Sequence, residues 1–129
     1  MDLRREEVPA GPVITGFSGR GFRVRLSGGE RVYPRGLLID PTGVIEWDAP
    51  ADVALLDIAM IGGLLEIDPM PEFLLLGTGA RLVRPPIGFM RVLDDRGVGV
   101  EAMDSRAAAR AWSVLRQEGR HIVGALFPL

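Results

Sequence analysis

The residues best suited to chemistry follow a continuous apolar run at residues 73–76: a Gly77-Thr78-Gly79 turn, then Arg81 and Arg84. Backbone amides of a glycine turn and arginine side chains both bind anions. A dinucleotide fingerprint would need a third glycine at position 82, which is Leu82, and a helix that starts inside the turn. We therefore reject nicotinamide and flavin binding, and no cofactor is predicted.

Two interpretations of this turn stay open. In one, Gly77, Thr78, Gly79, Arg81 and Arg84 form a small anion or ligand site together with the start of the following helix. In the other, the strand leaves the sheet through dihedral angles that glycine adopts most readily, and no ligand is involved. We favour the second, because it explains the motif with the backbone alone.

Glu101 lies inside an otherwise apolar predicted strand, residues 98–103. A carboxylate in such a strand needs a cationic partner, which Arg110 or Arg120 could supply. We predict a buried polar cluster of Glu101 with Arg110 and Arg120. A structural ion pair is favoured over a catalytic acid, because such pairs also occur in plain scaffolds.

Other catalytic groups are scarce. The chain has no cysteine, which excludes thiolate nucleophiles, disulfides and the usual structural zinc sites. All 15 basic residues are arginine, so a phosphate-binding loop of the Walker type and a Schiff-base lysine are excluded as well. The single histidine, His121, lacks a plausible serine and aspartate arrangement. We predict no catalytic residue and no metal ligand, and the working hypothesis is a protein that is not an enzyme.

The composition is that of a globular protein, with 47% apolar and 25% charged residues. A length of 129 residues suits a single domain spanning residues 1–129, in which we expect residues 1–10 to form a flexible N-terminal segment. The longest apolar stretch, residues 53–65, is shorter than the roughly 20 residues of a membrane span. Residues 1–8 carry five charged side chains with no apolar run behind them, so no signal peptide is expected. We therefore expect a soluble, cytoplasmic protein without membrane insertion.

Hydrophobic periodicity predicts a β-rich first part and an alternating second part. The first part has short strands at residues 13–17, 22–26, 31–33, 36–39 and 44–47, followed by one helix that starts near Asp52. The second part has strands at residues 73–76, 98–103 and 121–127. Between them lie a helix that begins at Pro86, with Ile87, Met90 and Leu93 at helical spacing, and a helix at residues 105–118 capped by Asp104. This β-α-β-α-β order predicts an α/β fold with parallel pairing.

Several segments carry a family resemblance: residues 74–79, a proline near Pro85, residues 97–105, Ala107-Ala108, Val114-Leu115 and residues 118–120. Through them the chain resembles a family of small bacterial and archaeal proteins of unknown function that includes the mitochondrial respiratory complex I assembly factor three. The resemblance implies a single three-layer α/β domain with a central mixed β-sheet, and it does not imply an enzyme. The chain departs from the family pattern at Ser105, where threonine is usual, and at Ala111-Trp112-Ser113, where threonine, tyrosine and asparagine are usual.

Two functional hypotheses are consistent with these features. The first is an interaction or assembly-factor-like domain with a protein partner, such as a respiratory or membrane-complex subunit or an assembly factor. The uneven charge distribution, with no arginine in residues 36–80 and an excess of arginine from residue 81 onward, could orient such a partner. The second is a ligand-binding or anion-binding module, or a cryptic enzyme, at the Gly77-Thr78-Gly79 turn. A net charge of −2 argues against nucleic acid as a partner, and the oligomeric state is left open.

Overall fold

Two β-sheets form the scaffold in a computed structural model that describes residues 11–129. The smaller sheet is antiparallel, with the order β1-β2-β3. The larger has five strands in the order β5-β4-β8-β6-β7. The strands are β1 (Val13–Ser18), β2 (Gly21–Leu26), β3 (Gly29–Tyr33), β4 (Leu37–Ile39), β5 (Val44–Glu46), β6 (Phe73–Gly77), β7 (Gly99–Met103) and β8 (Val123–Leu126). The predicted flexibility of residues 1–10 lies outside the described residues.

The larger sheet is mixed, as expected. Strand β6 pairs in parallel with β7 and with β8, whereas β4 pairs antiparallel with β8 and β5. The parallel strands are joined through two helices, α1 (Ile87–Asp95) and α2 (Ser105–Gln117). The α/β class, the mixed sheet and the parallel pairing are thereby confirmed.

Both faces of the larger sheet are covered, because side chains alternate between the faces of a strand. Leu74 and Leu76 of β6 pack on one side with Phe89 and Leu93 of α1. Leu75 packs on the other side, in a cluster with α2 and the smaller sheet that includes Trp112. All three leucines are fully buried, which explains why β6 reads as a continuous apolar run.

The helix predicted to start near Asp52 is replaced by two 3₁₀ segments, Val53–Leu55 and Ile58–Leu65. Asp52 and Asp57 each accept a hydrogen bond from the backbone amide two residues ahead, at 3.0 and 2.8 Å. Such side chains compete with the helical hydrogen-bond ladder, so the second aspartate starts a new segment. Gly62, with φ of +56°, interrupts the second segment.

Helix α1 turns a different face to the core than the predicted apolar set suggests. Of Ile87, Met90 and Leu93, only Leu93 is buried, and its buried partner is Phe89. Residues four apart lie on the same side of a helix, so the aromatic ring at 89 and Leu93 together define the core face. Ile87 is left 65% exposed and Met90 36% exposed.

The start of α2 packs directly against the end of β6. A Cβ atom at Gly77 would lie 2.7 Å from Ser105 Oγ and 3.0 Å from Ser105 Cα, so position 77 has no room for a side chain. Ser105 is fully buried; its hydroxyl accepts a hydrogen bond from Gly79 N at 2.8 Å and donates one to Phe127 O at 2.7 Å. One hydroxyl therefore joins the ends of β6 and β8 to the first turn of α2.

At the opposite end of these strands, Glu72 connects the beginnings of β6 and β8. Its backbone N–H donates to His121 O at 2.8 Å, and its carboxylate accepts from His121 N at 3.0 Å and from Arg120 Nε at 2.7 Å. The backbone hydrogen bond from His121 and the Arg120 guanidinium hold the pKa of Glu72 below its ordinary value of 4.5.

Replacing Ser105 by alanine should destabilise the fold by about 1–3 kcal/mol, because Gly79 N–H and Phe127 C=O would be left buried without partners. Urea unfolding measures this loss. Ser113→Ala, at a partly exposed serine of the same helix, is the matched control and should change stability by less than about 0.5 kcal/mol. Equal stabilities for the two variants would contradict the role assigned to the buried hydroxyl.

Replacing Glu72 by glutamine should weaken the acid sensitivity of folding. The folded chain lowers the pKa of Glu72, so the unfolded chain binds this proton more tightly. Wild-type stability from this group is therefore complete above about pH 5 and falls as the pH decreases through the folded pKa. Glu72→Gln cannot titrate and should lose less stability over that interval, as measured by urea unfolding at a series of pH values.

Glu66→Gln is the control for this comparison. Glu66 is exposed, and its side chain makes no hydrogen bond or ion pair to any of residues 11–129. This variant should keep the wild-type pH profile, and a profile as flat as that of Glu72→Gln would refute the assignment.

Candidate functional site

The Gly77-Thr78-Gly79 turn uses its own polar groups within the fold. Thr78 is buried; its backbone N–H donates to Met103 O at 2.8 Å, and its hydroxyl donates to Arg81 O at 2.7 Å. The Gly79 N–H donates to the hydroxyl of Ser105. Gly79 has φ of +105°, a conformation that favours glycine. Two amides that an anion would need are therefore already paired.

The two arginines of the predicted anion site are not gathered around this turn. Thr78 and Gly79 line a cleft of about 630 Å³ at the ends of β6 and β8, whereas Arg84 lines a separate groove beside α1. Arg81 is exposed and lines neither. Gly77 is buried beneath α2. The anion-site hypothesis stays a prediction, without a shared cavity to support it.

The predicted buried cluster of Glu101, Arg110 and Arg120 is wrong. Glu101 is exposed on β7, which is the last strand of its sheet, and Arg110 is exposed on α2. Arg120 forms its ion pair with Glu72 instead, at 2.7 Å. Glu101 needs no buried partner, because an edge strand leaves its carboxylate in water.

The cleft at the ends of β6 and β8 carries charges of both signs. Arg20 and Arg35 lie on its wall together with Asp48 and Asp52. Arg20 Nε donates to Leu129 O at 2.6 Å, and Arg35 Nε lies 3.4 Å from a carboxylate oxygen of Glu46. Since both guanidinium groups have acceptors within the fold, the cleft does not present a purely cationic surface.

The second cavity is the α1–β7 groove, an apolar groove between α1 and β7 with a volume of about 470 Å³. It is separate from the cleft that Thr78 and Gly79 line. Its lining residues are Arg84, Pro85, Ile87, Met90, Arg91, Asp94, Val98, Gly99 and Val100.

The spacing of residues along α1 explains why four of its side chains line this groove together. Ile87, Met90, Arg91 and Asp94 are separated by three or four positions and form one face of the helix. That face is distinct from the core face of Phe89 and Leu93, and its residues line the groove together with Gly99 and Val100 of β7. Because β7 is the outermost strand, no other described strand covers Ile87 and Met90.

Sequence reasoning missed this groove, although one signal for it was present. The nine residues of α1 include five apolar side chains, which is more than a single core face of a short helix accommodates. An excess of this kind indicates either a fully buried helix or a second apolar face. Only the position of β7 in the sheet distinguishes these outcomes.

Neither a metal-binding cluster nor a membrane-spanning helix is found in residues 11–129. No three histidine or acidic side chains of these residues are grouped so that they could hold a metal ion. Within the same part of the chain, no helix has the length and hydrophobicity required to cross a bilayer.

The comparisons with known proteins agree on the family. A family profile described as "Protein of unknown function (DUF498/DUF598)" matches residues 14–127. The zebrafish (Danio rerio) NADH dehydrogenase (ubiquinone) 1 alpha subcomplex assembly factor 3 is 30% identical over 131 residues, a match that covers 99% of this chain and 71% of the zebrafish protein.

Two solved structures extend the similarity to the fold. An Mth938-like domain from Bordetella pertussis has a TM-score of 0.74 and 30% identity, covering 99% of this chain and 92% of that one. A Bartonella henselae protein described as an outer membrane protein has a TM-score of 0.78 and 25% identity, covering 95% and 98%. With its profile match over residues 14–127 and its 30% identity to the zebrafish protein, the chain belongs to the DUF498/DUF598 family, which confirms the resemblance inferred from its motifs.

Proposed function

We propose that this chain is a non-enzymatic interaction domain that binds another protein and acts as an assembly factor. The observation that carries the proposal is the α1–β7 groove, where Ile87 and Met90 are exposed on a face of α1 that no other described strand covers. Clustered exposed apolar residues with a polar rim are typical of protein-binding surfaces.

The energetics of the groove suit a protein partner. Complete burial of a fully exposed isoleucine or methionine side chain stabilises a complex by about 1.5–3 kcal/mol. Ile87 is 65% exposed and Met90 36% exposed, so each can contribute the corresponding part of that range. Arg84, Arg91 and Asp94 stand beside the apolar residues and supply the polar groups that fix orientation at an interface. The groove therefore offers a small apolar centre with charges around it.

The kind of partner is suggested by the relatives. The zebrafish relative is named as an assembly factor of the NADH dehydrogenase alpha subcomplex. We extend that role to this chain as a hypothesis: its partner is a respiratory or other membrane-complex subunit, or a second assembly factor.

The cytoplasmic location stays a prediction, and one similar structure is described as an outer membrane protein. The partner should therefore be sought in both the soluble and the membrane fraction of the native host.

Replacing Ile87 by glutamine should reduce capture of the partner, because the exposed apolar centre of the groove is removed while the core is untouched. The measurement is affinity capture of the tagged full chain from both fractions of its native host, with quantitative mass spectrometry and reciprocal capture. We expect at least about a tenfold loss of the partner, the equivalent of 1.4 kcal/mol.

Ile45→Gln provides the matched control. Ile45 is 60% exposed, close to the 65% of Ile87, and lies on β5 at the opposite edge of the sheet. This variant should retain the partner. Wild-type chain that repeatedly emerges alone would refute the interaction function, and equal losses in the two variants would refute the groove as its site.

A further inference from the structure

The outer edge of β7 presents backbone groups that form no hydrogen bond to any of residues 11–129. Met103 O accepts a hydrogen bond from Thr78 N at 2.8 Å, so the backbone of Met103 points toward β6. Backbone groups alternate in direction along a strand, so Gly99 and Glu101 also point toward β6. Val100 and Ala102 direct their N–H and C=O groups away from the sheet.

The two faces of β7 have different surroundings. Val100 and Ala102 pack against the cluster that contains α1, and Val100 also lines the α1–β7 groove. Glu101 and Met103 lie on the face covered by α2. A strand added beside β7 would therefore place every second side chain in the groove and the alternate ones next to Glu101.

The other sheet edges are less suited to receiving a strand. Strand β5 has three residues, β1 has an irregularity between Ile14 and Gly16, and β3 carries exposed charges at Glu30 and Arg31. Short length, bulges and charges are the common protections of edge strands. Strand β7 has five residues in regular register with β6 and a single charge, Glu101.

A second copy of this chain is a poor occupant of the edge. In the fully overlapping antiparallel register, Gly99 of one copy pairs with Met103 of the other, and Glu101 lies opposite Glu101. Like charges directly opposite each other destabilise strand pairing. A foreign segment with a basic side chain at this position would instead form an opposite-charge pair.

We propose that β7 accepts an extended segment of the partner protein as an added strand. The segment has apolar side chains at alternate positions, which enter the α1–β7 groove, and a basic side chain beside Glu101. This inference rests on the proposed function and specifies how the partner is held. Strand addition of this kind draws affinity from backbone hydrogen bonds and specificity from alternate side chains.

A labelled heptapeptide that alternates lysine and valine is the first probe, with an alternating glutamate and valine heptapeptide as its matched control. By fluorescence anisotropy, the full chain should bind the lysine peptide at least about tenfold more tightly than the glutamate peptide. Glu101→Lys should reverse that preference. Equal binding of the two peptides, or an unchanged preference in the variant, would overturn the proposal.

Ala102→Pro tests the backbone contribution. Proline removes an outward N–H without touching the ladder to β6, and edge strands tolerate it. The variant should lose binding of the lysine peptide, whereas Ile45→Gln should keep it. If circular dichroism shows that Ala102→Pro does not fold, the Glu101→Lys and Ile87→Gln variants replace it in the test. The proposal would be overturned if both of these variants bound the lysine peptide as tightly as the wild type does.

Hydrogen exchange by NMR identifies the occupant directly. In the free chain, the amides of Val100 and Ala102 should exchange rapidly while those of Glu101 and Met103 are protected, and the lysine peptide should protect the outer pair. Protection of the outer amides that rises with protein concentration would indicate a second copy. Concentration-independent protection would indicate a segment of the chain itself, and either result overturns the proposal.

The two proposals fail separately. If native capture with wild-type chain returns no partner, the interaction function is refuted whatever the peptides do. If a partner is captured equally well by wild type, Glu101→Lys and Ala102→Pro, the interaction function stands and strand addition at β7 is refuted.

Discussion

The contact between α2 and the end of β6 leaves no space at position 77, and the buried hydroxyl of Ser105 occupies the point where three segments meet. Because glycine brings the backbone of β6 against the first turn of α2, this hydroxyl can reach both Gly79 and Phe127. The contact sets where α2 begins over the sheet. The position of α2 in turn decides how Trp112 and Ala108 pack against Leu75.

The same contact explains why the amides of the glycine turn are paired within the fold. A turn of this composition after a buried strand looks available for an anion when only the sequence is considered. In the folded chain its amides are donors to Met103 and Ser105, and its threonine hydroxyl holds the following loop. Buried backbone groups must be paired, and here the pairing is internal. The candidate binding surface is therefore the α1–β7 groove and not the turn.

The α1–β7 groove and the free edge of β7 have a common origin. Both exist because β7 is the last strand of its sheet, so the backbone of Val100 and Ala102 and the side chains of Ile87 and Met90 lack a covering strand among residues 11–129. An apolar groove alone does not specify an occupant. Together with backbone groups that have no hydrogen-bond partner in the described part of the chain and a single carboxylate, it favours an extended segment of alternating apolar and basic character.

The sequence by itself determined the α/β class, the strand order along the chain, the caps at Asp52 and Asp104 and the family, because these depend on local periodicity, capping and motifs. Tertiary structure alone decided three other features. The hydrogen-bond partners of Ser105 lie 22 and 26 positions away in the sequence. The buried face of α1 depends on the packing of Phe89 in the core cluster, and the exposure of Glu101 depends on β7 being the outermost strand. Each is a non-local property, since a strand with the same local pattern is buried at the centre of a sheet and wet at its edge.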